Sequence, residues 1–75
     1  MSYVQRFGQE VKRIRLERGM SVRELSERSG VKDATIRKLE SGHDVLAVVL
    51  FQLCRCLGVT PVFVDQTLLE LKNGS

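Results

Sequence analysis

At 75 residues, 43% of them hydrophobic and 28% charged, the chain has room for one domain (residues 1–75) with one modest core, and a second subunit is an expected source of stability. Its start, Met-Ser-Tyr-Val-Gln-Arg, lacks the apolar run of a signal peptide, and its longest apolar stretch, Val45 to Phe51, is too short for a bilayer. A soluble, cytoplasmic protein with no membrane partner is therefore expected. The net charge of +3 is unevenly spread: residues 1–43 hold ten Lys/Arg against six Asp/Glu, whereas residues 44–75 hold two (Arg55, Lys72) against three (Asp44, Asp65, Glu70). A basic part suits a polyanion, and an apolar part suits a protein partner. Cys54 and Cys56 stand two apart, there is no CxxC, and His43 is the single histidine. Reduced structural thiols are expected, with no disulfide framework, metal or cofactor.

Glycines at 19, 30, 42 and 58 each follow a stretch of helical pattern, as residues just past a helix end commonly do, and their spacing predicts five short helices. The first spans about Val4 to Arg18, with Val4, Phe7, Val11 and Ile14 on one face. The second opens at Ser21 with a capping box, Ser21-Val22-Arg23-Glu24, and runs to about Arg28 or Ser29 with Leu25 inward and the small Ser26 beside it. The third covers about Asp33 to Ser41 and turns Ile36 and Leu39 inward. The fourth, about Leu46 to Leu57, is apolar nearly all round, with Gln52 and Arg55 as its polar breaks. Such a helix must be covered on more than one side, either by a second subunit or by the chain's own core. Thr60 and Pro61 are placed as N-cap and first residue of a fifth helix reaching about Leu71. Val62, Phe63 and Val64 are strand-formers, so a short strand at a dimer interface is the alternative for its first turn.

Residues 20–42 decide the functional reading. Two helices of about two turns, joined by a short turn containing glycine, make a helix-turn-helix unit (about residues 21–41), whose second helix can lie in the major groove of DNA. Ser26 supplies the small residue where the helices cross, and Gly30 and Val31 supply the turn and its apolar anchor.

With Arg15-x-x-x-Gly19-Met20-Ser21, Leu25-Ser26-Glu27, Gly30-Val31, Thr35-Ile36, Leu39-Glu40-Ser41-Gly42 and Leu57-Gly58-Val59, the chain resembles the Cro/repressor-type (XRE-like) helix-turn-helix family over about residues 7–60. That family includes phage repressors, restriction-modification controller proteins and many antitoxins. The resemblance implies an all-α, five-helix fold and an ion pair between Arg15 and Glu40 of architectural role. It puts the base-reading positions on Lys32, Asp33, Ala34, Arg37 and Lys38. Arg and Lys can donate to guanine, and Ala34 can touch a thymine methyl. Asp33 can accept from cytosine, or it can simply favour the positive end of the helix dipole. Phosphate contacts are expected from Ser21, Val22, Arg23, Thr35, Ser41 and His43. Two positions depart from the family: Val22 stands where glutamine is usual, and Lys32 stands where Ser or Thr usually caps the recognition helix.

The leading expectation is a homodimeric transcriptional regulator, a repressor or controller protein, on a palindromic operator, with autoregulation and no small-molecule ligand. Its dimerisation region is expected over about residues 45–72, with Val45, Val48, Phe51, Arg55, Val62 and Phe63 at the interface. The alternative is an antitoxin or antiactivator that binds a second regulatory protein through its apolar C-terminal half. An enzyme finds no support, because no Ser/His/Asp or Cys/His set, phosphate loop or metal cluster occurs.

Overall fold

A computed structural model describes residues 2–71. The elements follow as α1 (Tyr3–Glu17), α2 (Val22–Ser29), α3 (Asp33–Glu40), α4 (Ala47–Leu57), β1 (Val59–Val64) and β2 (Thr67–Glu70). Helix α1 starts from a full capping box in which Ser2 Oγ accepts from the Gln5 amide and Gln5 Oε1 accepts from the Ser2 amide. Its stripe of Phe7, Val11 and Ile14 is buried against Leu25, Ile36, Leu39, Leu53 and Leu57. Ser21 Oγ accepts from the Glu24 amide, but the Glu24 carboxylate turns outward to Arg28 at 3.1 Å, so only half of the expected box at Ser21 forms. Gly30 ends α2 at φ +78°, a left-handed turn that glycine adopts without steric cost.

Where α1 crosses α3, the backbones nearly touch. A Cβ added at Gly8 would overlap the carbonyl of Leu39. Glycine inside a helix costs about 1 kcal/mol in propensity, and here the close approach accounts for its presence.

The C-terminal quarter overturns the five-helix, all-α expectation. Among the described residues there are four helices, and β1 and β2 form an antiparallel hairpin in place of the fifth. Phe63 faces Leu68 and Val64 faces Thr67, with an irregularity between Val59 and Phe63. The physical reason lies in Val62-Phe63-Val64, which suits a pleated, half-buried surface, and in Asp65 and Gln66, whose φ values are +50° and +72°. Two successive left-handed residues stop a helix and supply the twist that a two-residue hairpin turn requires. Thr60 therefore caps nothing: its hydroxyl is buried without a partner among the described residues. Pro61, which has no N–H to donate, sits in the irregular part of β1.

Side chains of α1 hold the hairpin down. Glu10 Oε1 accepts from the Leu68 amide at 2.9 Å, and the Tyr3 hydroxyl donates to the Pro61 carbonyl. The Tyr3 ring meets Phe63 edge-on at 5.2 Å, and the Arg6 guanidinium lies 5.7 Å from the centre of the Phe63 ring. Arg18 donates to the Leu57 carbonyl at 2.8 Å, closing the end of α4. Helix α4 buries Leu50, Leu53, Cys54 and Leu57, and burial pushes the Cys54 thiol up to about 11. Its other face stays bare, with Val48 56% and Phe51 59% exposed, so the chain's own core covers only one side of it.

Two outcomes test this packing. Gly8→Ala would add about 1 kcal/mol in a helix free of neighbours. Here it should instead cost about 1–3 kcal/mol by urea unfolding, because the backbone of α3 must move. A stability equal to or above that of the unmodified chain would refute the close approach. Glu10 gives a pH dependence. Its hydrogen bonds from Arg13 outweigh the effect of burial and, with that from the Leu68 amide, hold its carboxyl below the usual range. The resulting stabilisation is complete above the unfolded glutamate pKa of about 4.3 and is lost as pH falls through the lower folded value. Glu10→Gln should therefore be less stable at pH 7, and its stability should fall less steeply below about pH 4.3.

Candidate nucleic-acid interface

Ile36 and Leu39 bury the inner side of α3, which turns the rest of that helix outward. Lys32, Ala34, Arg37 and Lys38 are exposed, while Asp33 and Thr35 are half-buried. Lys32 occupies the N-cap position without a side-chain hydrogen bond, and Asp33 lies in the first turn, at the positive end of the helix dipole. Ser41, at the C-cap, and His43 are exposed just past the helix. Across the turn, Ser21 is exposed with its hydroxyl engaged by the Glu24 amide, Val22 is half-buried and Arg23 is exposed. The Ser26 hydroxyl donates to the Val31 carbonyl, which fastens α2 to the turn. Of these residues, Val22, Arg37 and Ser41 line one depression together, while the others are exposed or half-buried along α2, α3 and the loop after it.

The orientation of α3 is fixed from beneath by Arg15 and Glu40. Arg15 Nε and Nη2 donate to the two carboxylate oxygens of Glu40, each at 2.9 Å, and Nη1 donates to the Met20 carbonyl at 2.8 Å. The two side chains are only 9% and 8% exposed. Hydrogen bonding to Glu40 raises the Arg15 pKa further, so the guanidinium stays charged despite its burial. A two-pronged pair of this kind sets both distance and angle between α1 and α3.

Charge is sorted around this frame. Arg13 is tied to Glu10 and Glu17, and Arg28 to Glu24. Arg23 reaches Glu27 only at 3.9 Å, with both side chains mostly in solvent. Among the described residues, Lys12, Lys32, Arg37 and Lys38 pair with no carboxylate. Lys12 of α1, which sequence reasoning missed, lines one shallow depression with Arg15, Val22, Arg37, Glu40 and Ser41. Its signal was its place one helical turn before Arg15. Residues 11–64 match the helix-turn-helix family.

The chain belongs to that family.

Membership in this helix-turn-helix family, of Cro/repressor type, makes it a DNA-binding regulator of transcription. Comparison with curated proteins and with solved structures gives no match. The matched stretch contains α2, α3 and α4, and it ends at the last residue of β1, so β2 lies outside it. Among the described residues, no helix is long and apolar enough to cross a membrane. No group of three or more His, Cys, Asp or Glu is placed to hold a metal among them either.

The residues expected at a dimer interface are divided by the fold. Val48, Phe51, Arg55 and Val62 are exposed, whereas Val45 and Phe63 are half-buried and pack against the chain's own core. Lys72, at the end of the expected dimerisation region, lies outside the described residues. Val64, Leu69 and Leu71 are also exposed, by 47%, 43% and 52%. For Val64 the signal was alternation along β1, which the helical reading of 61–71 hid.

The ion pair predicts its own failure. Arg15→Ala or Glu40→Ala strands a buried charge and should cost about 3–5 kcal/mol by urea unfolding. The double variant Arg15→Met/Glu40→Leu should lose less than the worse single variant, since no charge is left unpaired. Strictly additive losses would show that the two side chains do not act as a pair.

Proposed function

We propose that this protein is a sequence-specific regulator that binds a palindromic operator as a homodimer and controls its own gene. The observation that carries the DNA reading is the outward side of α3, where Lys32, Arg37 and Lys38 are exposed without carboxylate partners among the described residues. In this reading α3 enters the major groove, with Lys32, Asp33, Ala34, Arg37 and Lys38 toward base edges. Ser21, Val22, Arg23, Thr35, Ser41 and His43 meet phosphates along the flanks.

Dimerisation is supported by a different surface. Val48 and Phe51 of α4, and Val62, Val64 and Leu69 of the hairpin, are each at least 43% exposed. Large apolar side chains left bare in this number favour association. A two-fold copy that covers them would set two recognition helices about one helical turn of DNA, roughly 34–36 Å, apart. The same surface serves the antitoxin or antiactivator reading, in which a different protein covers it.

Fluorescence anisotropy with DNA from upstream of the protein's own gene, beside scrambled DNA at near-physiological salt, tests the proposal. Binding tighter to the upstream DNA by about 10³ or more is expected of a specific autoregulator. Phe51→Asp should give a monomer by light scattering and lose most of that preference, with its thermal midpoint little changed. Equal affinity for both DNAs would sink operator recognition at this site. A wild-type monomer in solution would turn the apolar surface over to a second protein.

A further inference from the structure

The depression between α1, α2 and α3 brings two cations together around a pair that is already neutral. Lys12 lies three residues before Arg15 on α1, and Arg37 lies three residues before Glu40 on α3. Residues at that spacing share a helix face. Because Arg15 and Glu40 bind each other in two-pronged fashion, the faces bearing Lys12 and Arg37 are drawn to the same place. Both line one depression, with Ser41 and Val22 at its rim.

Neither Lys12 nor Arg37 has a carboxylate partner among the described residues, and the one carboxylate that lines the depression, that of Glu40, is taken up by Arg15. Two like charges that converge on one depression repel, and an anion seated between them removes that cost. The Ser41 hydroxyl at the rim adds a neutral donor. Val22 begins α2, whose first amides have no carbonyl partner within the helix and point the same kind of charge outward. The depression is shallow and open, which suits one group on a continuous chain better than an enclosed small molecule.

We propose that Lys12 and Arg37 together grip one backbone phosphate of the bound DNA, with Ser41 as an auxiliary donor. This rests on the DNA reading given above and deepens it. Lys12 becomes a DNA-binding residue, and Arg37 moves from reading bases to holding the backbone. Lys38, on the neighbouring side of α3, keeps the base edge. The buried ion pair then has a consequence at the surface: it sets the separation of the two cations that straddle the phosphate.

The test measures affinity and salt dependence for wild type, Lys12→Ala, Arg37→Ala and the double variant, on upstream DNA, on base-substituted versions of it and on scrambled DNA. Both substituted side chains are exposed, so thermal midpoints should stay near that of wild type. Each single variant should weaken binding to every DNA by the same factor. The double variant should lose about 0.9 from the slope of log K against log salt for each protomer bound, or about eightfold in affinity at 0.1 M salt. Lys12→Arg should restore most of the loss, because any cation on a long stem serves. An Arg37→Ala loss that depends on the base sequence would return Arg37 to base reading and overturn the shared grip. So would an unchanged slope in the double variant. If wild type binds no DNA at any salt, the DNA reading itself falls and this inference with it.

Discussion

The position of the recognition helix depends on one buried ion pair. Arg15 and Glu40 join the last turn of α1 to the end of α3, and a third hydrogen bond from Arg15 holds the Met20 carbonyl just before α2. One side chain thus touches three parts of the helix-turn-helix frame. Burying two charges is costly, so such a pair contributes less to net stability than to geometry. Gly8 works alongside it, because the approach of the two backbones at Leu39 leaves no room for a Cβ. The glycine sets how close α1 and α3 come, and the ion pair sets the angle and register at which they meet.

The same first helix also organises the opposite end of the molecule. Tyr3 and Glu10, seven residues apart and so on one side of α1, hold the hairpin at Pro61 and at Leu68. Pro61 has no N–H, and the Leu68 N–H is used by Glu10. Two of the polar groups with which a bare hairpin edge would recruit another strand are therefore occupied or missing. The outer face of the hairpin is not so guarded: Val62, Val64 and Leu69 point away from the core. Association through a face, instead of along an edge, is what this arrangement favours.

The helix-turn-helix half was legible because its signals are local. Ser21 as a cap, Gly30 as a left-handed turn, and Ile36 and Leu39 three apart each constrain the backbone within a few residues. The helix bounds followed to within a residue or two. Gly8 was silent, because its role is to let in a segment some thirty residues away. Glu10 was silent for a related reason, since its carboxylate caps an amide at Leu68 that no sequence pattern links to it. The hairpin was misread because Thr60-Pro61 imitates a helix start, while the turn Asp65-Gln66 lacks the glycine that marks most tight hairpins. There the strand preference of residues 62–64 and the packing onto α1 decided the outcome over the local cap signal. The depression lined by Lys12 and Arg37 arises from helix crossing and is likewise invisible to local pattern.

Charge placement completes the separation of roles. The net charge of +3 is small for a molecule that meets a polyanion. What a nearby duplex experiences is set less by the total than by which charges are neutralised locally, since screening in physiological salt limits their reach to about 8 Å. Glu10, Glu17 and Glu24 are committed to Arg13 and Arg28, and Glu40 to Arg15. These pairs cancel charge away from the outward side of α3 and within its foundation. Lys12, Lys32, Arg37 and Lys38 remain uncompensated on and beside that helix. The acidic residues thus shape the basic surface: their ion pairs involve Arg13, Arg15, Arg23 and Arg28, and leave the cations on the solvent side of α3 free to act on a polyanion.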